Sequence, residues 1–386
     1  MDITQILHSY AEEGFSYNPV SVPIYETSIF SFKNFEEFQN SLLNEFEAHL
    51  YSRGKNPTAE VVEKKLAALE KAEDAKLFAS GIAAVSAATM AFLKSGDHVV
   101  CVKDAYGWTS KLFSQYLKRF DVQVTFVEGI DPEDFIKNTK PNTKLFFLES
   151  PTTFTFRLQD LVQVANFARQ NNIKTVIDNT WATPVFQNPI ELGIDLVVHS
   201  ASKYIGGHSD VVAGVVIGKK EDIRHIFNTE FMNIGATIGP FEAWLLLRGL
   251  RTIHVRMQGH MENTLKVIEY LQTVPEVEEI FYPFYSKHPQ YELAKKQMKG
   301  GSGLLSIKLN VKSLENVITF TNTLKIFRRA VSWGGYESLV MPYAATNRDG
   351  LTEKNKMIRL HIGLENPDLL INDLQNAFQA MKKVKL

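Results

Sequence analysis

Val197-Val198-His199-Ser200-Ala201-Ser202-Lys203-Tyr204 sets a lysine just after a short run of apolar residues, and Gly206-Gly207-His208 follow at once. The run has strand length. Ligands of parallel sheets bind beyond the carboxyl ends of the strands. A lysine at such an end, partly withdrawn from water, gives up its proton more easily and becomes a nucleophile. Taken alone, the same residues also read as a surface lysine after a strand.

Outward from this segment, short apolar runs alternate with stretches of helical length. The runs are Ala75–Ala79, His98–Val102, Gln123–Val127, Lys144–Leu148, Lys174–Ile177, Asp195–Val198 and Val211–Ile217. Near-continuous apolar strands separated by helices imply a mostly parallel sheet covered on both faces. Ala59–Glu73 is expected to be helical, with Val61, Val62, Leu66 and Leu69 at spacings near 3.6. One long helical stretch, about 240–272, closes this α/β unit. Beyond it, Leu304–Leu309 and Met357–Ile362 read as strands, and Ser313–Leu324 and Pro367–Lys382 as helices, a smaller α/β unit. The chain therefore divides into an arm over 1–58, punctuated by Pro19, Pro23 and Pro57, an α/β domain over 59–256 and a C-terminal α/β domain over 257–386. Such an arm is expected to reach over a neighbouring subunit.

A chain of 386 residues, 45% of them hydrophobic, is ample for two cores. A net charge of −1 points to neither a nucleic acid nor a membrane surface as partner. The one cysteine, Cys101, excludes a disulfide within the chain and a cysteine-built metal site, so no metal is expected. The start Met1-Asp2-Ile3-Thr4-Gln5 lacks the basic and apolar regions of a signal peptide, and no apolar run approaches the ~20 residues of a membrane helix. The expectation is a cytoplasmic protein.

Three segments carry candidate chemistry. Lys203 is the first. The spacing Ser200-x-x-Lys203 also occurs in penicillin-recognising enzymes, but the strand–loop context and the lack of Ser-Asp-Asn and Lys-Thr-Gly elements set that reading aside. The second is Thr175-Val176-Ile177-Asp178-Asn179-Thr180, where Asp178 ends a buried strand. A carboxylate there can pair with a pyridinium nitrogen and keep it protonated, or simply cap a helix. The third is Ala79-Ser80-Gly81-Ile82, at a strand-to-helix junction whose free amides suit a phosphate, or an ordinary N-cap. Together they supply a phosphate seat, a ring-nitrogen partner and a Schiff-base lysine at one sheet edge.

The run Ser200–Gly214 resembles the lysine signature of the pyridoxal-phosphate (PLP) dependent transsulfuration enzymes of cysteine and methionine metabolism, and matching segments extend from Tyr51 to Glu365. The resemblance implies an aspartate-aminotransferase-type fold, pyridoxal 5'-phosphate on Lys203, and a homotetramer built from two catalytic dimers. It implies that Tyr51 and Arg53 bind the phosphate of a partner's cofactor, with Gly81, Ile82, Ser200 and Ser202 as further phosphate donors. It further implies that Tyr106 stacks on the cofactor ring and assists proton transfer, and that Arg359 and Ser332 hold the substrate's α-carboxylate. The family more often has threonine at the position of Ser202.

Two departures bear on the reaction. Glu149-Ser150-Pro151-Thr152-Thr153 has Thr153 where most members have asparagine, and Val331-Ser332-Trp333 has a tryptophan where many have leucine. Both, with Asp178–Ala182 and Arg359–Glu365, resemble cystathionine β-lyase, whereas Asn56-Pro57-Thr58 and His208–Gly214 also resemble γ-synthases. Trp333 as a substrate contact and Trp333 as core packing both stay open. The expectation is a carbon–sulfur lyase acting by β-elimination on cystathionine, giving homocysteine, pyruvate and ammonia. A γ-synthase or acylhomoserine sulfhydrylase, and a methionine or cystathionine γ-lyase, are the alternatives. A non-enzymatic scaffold is disfavoured by the intact Lys203, Asp178, Tyr106 and Arg359.

Overall fold

The computed structural model describes residues 1–384. Seven strands form the larger sheet: β1 Asp74–Phe78, β2 His98–Val102, β3 Gln123–Val127, β4 Thr143–Glu149, β5 Lys174–Asp178, β6 Leu196–His199 and β7 Gly214–Gly218. Their order is β1-β7-β6-β5-β4-β2-β3, and only β7 runs against its two neighbours. β2, β6 and β7 are buried along their whole length, as strands covered on both faces must be. Each fully buried valine or leucine there contributes about 1.5–3 kcal/mol of transfer free energy. This is the mostly parallel α/β sheet expected.

The second sheet holds β8 Val277–Phe281, β9 Leu304–Leu309, β10 Arg328–Arg329, β11 Leu339–Pro342 and β12 Met357–His361, in the order β10-β11-β12-β9-β8. All its pairings are antiparallel except β10 with β11. Of these strands the sequence pattern marked only β9 and β12. β8 shows the burial of a half-solvated strand, and β10 is two exposed residues long.

The long helix expected over 240–272 is two helices, Pro240–Leu250 and Ile253–Leu271. The chain unwinds after Leu250, where the Arg256 guanidinium takes the Gly249 carbonyl at 2.8 Å. The second helix joins the two cores: Ile253 and Met257 pack with the large sheet, Val267, Ile268 and Leu271 with the small one.

The N-terminal residues are not uniformly extended. Ile3–His8 is a helix whose Ile6 and Leu7 are buried, and the buried Lys65 ammonium holds its carbonyls at Ile6 and Leu7 at 2.6 and 3.2 Å. Phe35–Leu43 is a second helix with no buried residue. Between them Tyr17 and Val20 are fully exposed. Among the described residues no helix is long and apolar enough to cross a membrane.

Candidate active site

The carboxyl ends of β4, β5 and β6 lie side by side. Register sets Glu149 opposite Asp178, and Asp178 opposite Val198, two residues before Ser200. The Thr180 amide donates to Asp178 Oδ1 at 2.9 Å, and its hydroxyl donates to the same oxygen. Burial raises the Asp178 carboxyl, against those two bonds and the nearby His199 and Lys203. Glu149 is pushed up to about 8, first by burial and then by the charge of Asp178. Its oxygens accept from the Tyr106 amide and the Thr153 hydroxyl, each at 2.7 Å. Thr153 is thus engaged with Glu149, and the pair ties the Tyr106 loop to the end of β4. Sequence reasoning quoted Glu149 within its motif but assigned it nothing. The signal was its place, one strand over from Asp178.

Lys203 lies in the turn after β6. Its ammonium donates to Ser332 Oγ and stands 5.6 Å from the Trp333 ring centroid. Burial lowers it to about 8, helped by the Arg359 charge and opposed by Asp178. Far more of such an amine is neutral near physiological pH than of an ordinary lysine, which favours a nucleophile or general base.

The helix Gly81–Met90 starts beside this turn. Ser80 caps it, its hydroxyl accepting from the Ala83 amide at 3.2 Å. The Gly81 and Ile82 amides remain free at its N-terminus, where the helix dipole also favours an anion. Gly81 is required here: a Cβ would lie 2.8 Å from both Cβ and Oγ of Ser200. That close approach sets the Ser200 hydroxyl against the same amides. Ser202 differs, since its hydroxyl is shared with the Ala213 backbone, accepting from the amide at 2.9 Å and facing the carbonyl at 3.2 Å.

The small sheet reaches the same place. Arg359, in mid-β12, is 8% exposed and makes no ion pair with a carboxylate among the described residues. Its guanidinium donates to the Ser332 carbonyl at 3.3 Å, contacts Met341 Sδ, and lies over the Phe154 ring at 5.2 Å. Burial lowers Arg359 to about 10, partly offset by Tyr106. A buried cation lacking a protein counter-ion is built to receive an anion. Ser332 holds a left-handed backbone, φ +77°, between Arg359 and Lys203. Trp333 packs on Tyr204 with centroids 5.6 Å apart, so it lines Lys203 while bridging the two cores. Tyr106 is half-exposed and feels both Arg359 and Asp178; burial raises its phenol.

The structure thus brings together Lys203, Asp178, Tyr106, Gly81, Ile82, Ser200, Ser332, Trp333 and Arg359. It does not bring Tyr51 and Arg53 to them. Arg53 stacks on Tyr51 at 5.4 Å, and both line a separate cleft with Ser28, Thr237 and Gly239. Phe154, the plate under Arg359, was not singled out by sequence, where it carries no motif.

The family model described as "Cys/Met metabolism PLP-dependent enzyme" matches residues 3–379. An L-methionine gamma-lyase of Treponema denticola is 40% identical over 381 residues, 95% of this chain and 94% of the relative. A cystathionine gamma-lyase of Bacillus subtilis is 36% identical over 370 residues, 93% and 94% of the two chains. Among solved structures, a putative O-acetylhomoserine (thiol)-lyase of Campylobacter jejuni, holding an N'-pyridoxyl-lysine-5'-monophosphate, superposes with a TM-score of 0.92 at 29% identity over 98% of this chain and 100% of that one. This chain belongs to the PLP-dependent enzymes of cysteine and methionine metabolism.

Proposed function

We propose that this protein is a carbon–sulfur lyase of sulfur amino acids and that it works by γ-elimination. The observation that carries the reading is the convergence of Lys203 and the unpaired Arg359 on Ser332: a proton-accepting amine beside a buried cation made for a carboxylate. The choice of γ- over β-elimination leans on the methionine and cystathionine γ-lyases to which the chain is similar.

The residues present fit the cofactor. The seat that a Cβ at Gly81 would close, with the Gly81 and Ile82 amides and the Ser200 hydroxyl, suits its phosphate. Asp178, with Oδ1 held by Thr180, suits its ring nitrogen, Tyr106 its ring face and Lys203 its aldehyde. When bound, pyridoxal phosphate supplies an electron sink for the carbon next to the substrate amine.

Arg359 and Ser332 would fix the α-carboxylate, so Cα faces Lys203 before chemistry begins. Lys203 would take the proton from Cα, and its four-carbon stem also reaches Cβ, whose proton must leave in a γ-elimination. The thiol then departs from Cγ, and water releases 2-oxobutyrate and ammonia. Tyr106 would donate a proton to the departing sulfur.

The β-elimination expected from sequence stays as the second reading. Trp333, one of the features behind it, faces Lys203 rather than serving as packing alone.

Tyr51 and Arg53 would serve the phosphate of a second copy. An apolar groove beside Ile82, with Trp108 60% and Ile234 64% exposed, supports a partner surface close to the site. The tetramer expected from sequence belongs to the same reading.

The test is product identity from the PLP-loaded protein. L-Methionine giving methanethiol and 2-oxobutyrate, and L-cystathionine giving cysteine and 2-oxobutyrate, are the expected results. Pyruvate with homocysteine from cystathionine would replace this reading by the β-lyase.

A further inference from the structure

We propose that His361 is a positioning residue that clamps the 332–337 loop onto Lys203 and so shapes the pocket for the substrate carboxylate. The proposal rests on the reading of the Lys203 site given above.

His361 is the last residue of β12, two positions after Arg359 and therefore on the same face of the strand. It is 1% exposed. Its ring makes two hydrogen bonds, and both go to one loop. The Gly334 amide donates to Nε2 at 3.1 Å, and Nδ1 faces the Glu337 carbonyl at 2.9 Å. The partners fix the tautomer. An amide can only donate, so Nε2 is bare; a carbonyl can only accept, so Nδ1 carries the proton. A protonated ring could not keep the first bond. Burial, with His260 adding to it, holds His361 well below the ordinary histidine range, so the neutral form persists.

The loop needs such a hold. Ser332 and Gly334 have φ of +77° and +87°. A non-glycine residue in that region persists only where its surroundings over-determine it. A Cβ on Gly334 would stand 2.8 Å from both Lys203 Cβ and Tyr204 N, so this backbone is seated directly on the catalytic lysine. Arg359 grips the loop at the Ser332 carbonyl, while Lys203 donates to its hydroxyl. His361 grips it on the far side, at Gly334 and Glu337. Beyond it the Leu364 amide donates to the Tyr336 carbonyl at 2.8 Å and the Ser209 hydroxyl to Glu337 at 2.6 Å, so loss of the Gly334 bond frees the middle of the loop, Trp333 to Gly335, and leaves Arg359 with a moving neighbour.

The substitutions His361→Asn and His361→Gln separate positioning from packing. A glutamine side chain sets its amide oxygen near the position of Nε2 and can accept from Gly334. The asparagine amide is too short to do so. The full-length, PLP-loaded protein is followed by hydrogen–deuterium exchange over the 331–338 peptide and by steady-state kinetics on L-methionine or L-cystathionine. H361N is expected to speed exchange in that peptide at least about tenfold, raise KM about tenfold and leave kcat within about threefold. H361Q is expected to restore both. Unchanged exchange at 331–338 in H361N overturns the proposal, as does H361Q being as impaired as H361N. Exchange rising equally across both sheets, or an insoluble H361N, overturns it in favour of a general structural role. If the parent protein turns over no thioether amino acid, the kinetic arm fails with the functional reading, and the exchange arm still decides the clamp.

Discussion

The two sheets bring different kinds of residue to the same site. In the large sheet the reactive groups stand at or past strand ends: Asp178 closes β5, Lys203 follows β6, and Tyr106 follows β2. In the small sheet Arg359 lies in mid-strand, paired across to Met341 on one side and Ser306 on the other. A loop beyond a strand end leaves side chain and backbone free to change partners, as a proton carrier must. A residue fixed in a ladder on both sides cannot shift, which suits a group that only has to hold. The comparison assigns chemistry to the large sheet and grip to the small one, and substitutions on the two sides should fail differently.

The largest effect is expected at Lys203. On the proposed reading Lys203→Ala should lower kcat by about four orders of magnitude or more, since Lys203 there serves as both nucleophile and base. Loss of the cofactor's covalent attachment, read by mass spectrometry after borohydride reduction, checks the same point. Arg359→Lys comes next. It keeps the charge but removes the planar fork, so kcat/KM should fall about hundredfold with most of the loss in KM. A loss confined to kcat would break the division between the sheets.

Lys203 and Arg359 also speak to each other, because the arginine's charge is one cause of the lowered amine. Capture of PLP by the cofactor-free protein should accelerate with rising pH to a midpoint near the 8 of Lys203. Arg359→Met should move that midpoint upward, and a midpoint that stays in place would show the two sheets to be electrostatically independent. Arg53 provides a third region for the comparison. Mixed oligomers of Arg53→Ala and Lys203→Ala should recover activity that neither variant shows alone, up to about a quarter of the parent by random pairing in dimers. Mixing without recovery would place Arg53 at its own chain's site.

How much of this was legible in the sequence follows the same division. β2 can be read to the residue, because a strand buried on both faces is a continuous apolar run of distinct length, and β3, a part-exposed edge strand, matches by its alternation of polar and apolar residues. β8 and β10 could not, since half-exposed or two-residue strands leave no period to find. Lys203, Asp178 and Gly81 stand next to apolar runs, and the roles proposed for them follow from that place. Arg359 sits inside a strand like any cross-strand arginine, and only resemblance marks it. Phe154 and His361 act through partners far off in sequence: Phe154 lies under Arg359, and His361 holds a loop 24 to 27 residues earlier, and no spacing rule records such pairs. The split at Arg251 was hidden because Pro240–Gln272 keeps helical composition throughout, while at the break the Gly249 carbonyl accepts from the Arg256 side chain and the Thr252 amide.

The smallest expected effect tests the wall between Asp178 and the Tyr106 loop. Glu149 is pushed up to about 8 from an ordinary 4.5. Between those values the folded protein holds a proton that the unfolded chain releases. Stability of the cofactor-free protein therefore falls as pH rises through this window, because the unfolded state binds fewer protons there. Glu149→Gln removes the titration while keeping an acceptor for the Tyr106 amide and a polar partner for Thr153. Thermal unfolding at pH 5 and pH 8 should then show a Tm difference smaller in the variant than in the parent, by on the order of a few degrees. Equal slopes would mean that Glu149 is ionised when folded. The large sheet would then set a carboxylate, not a neutral acid, between Asp178 and the Tyr106 loop.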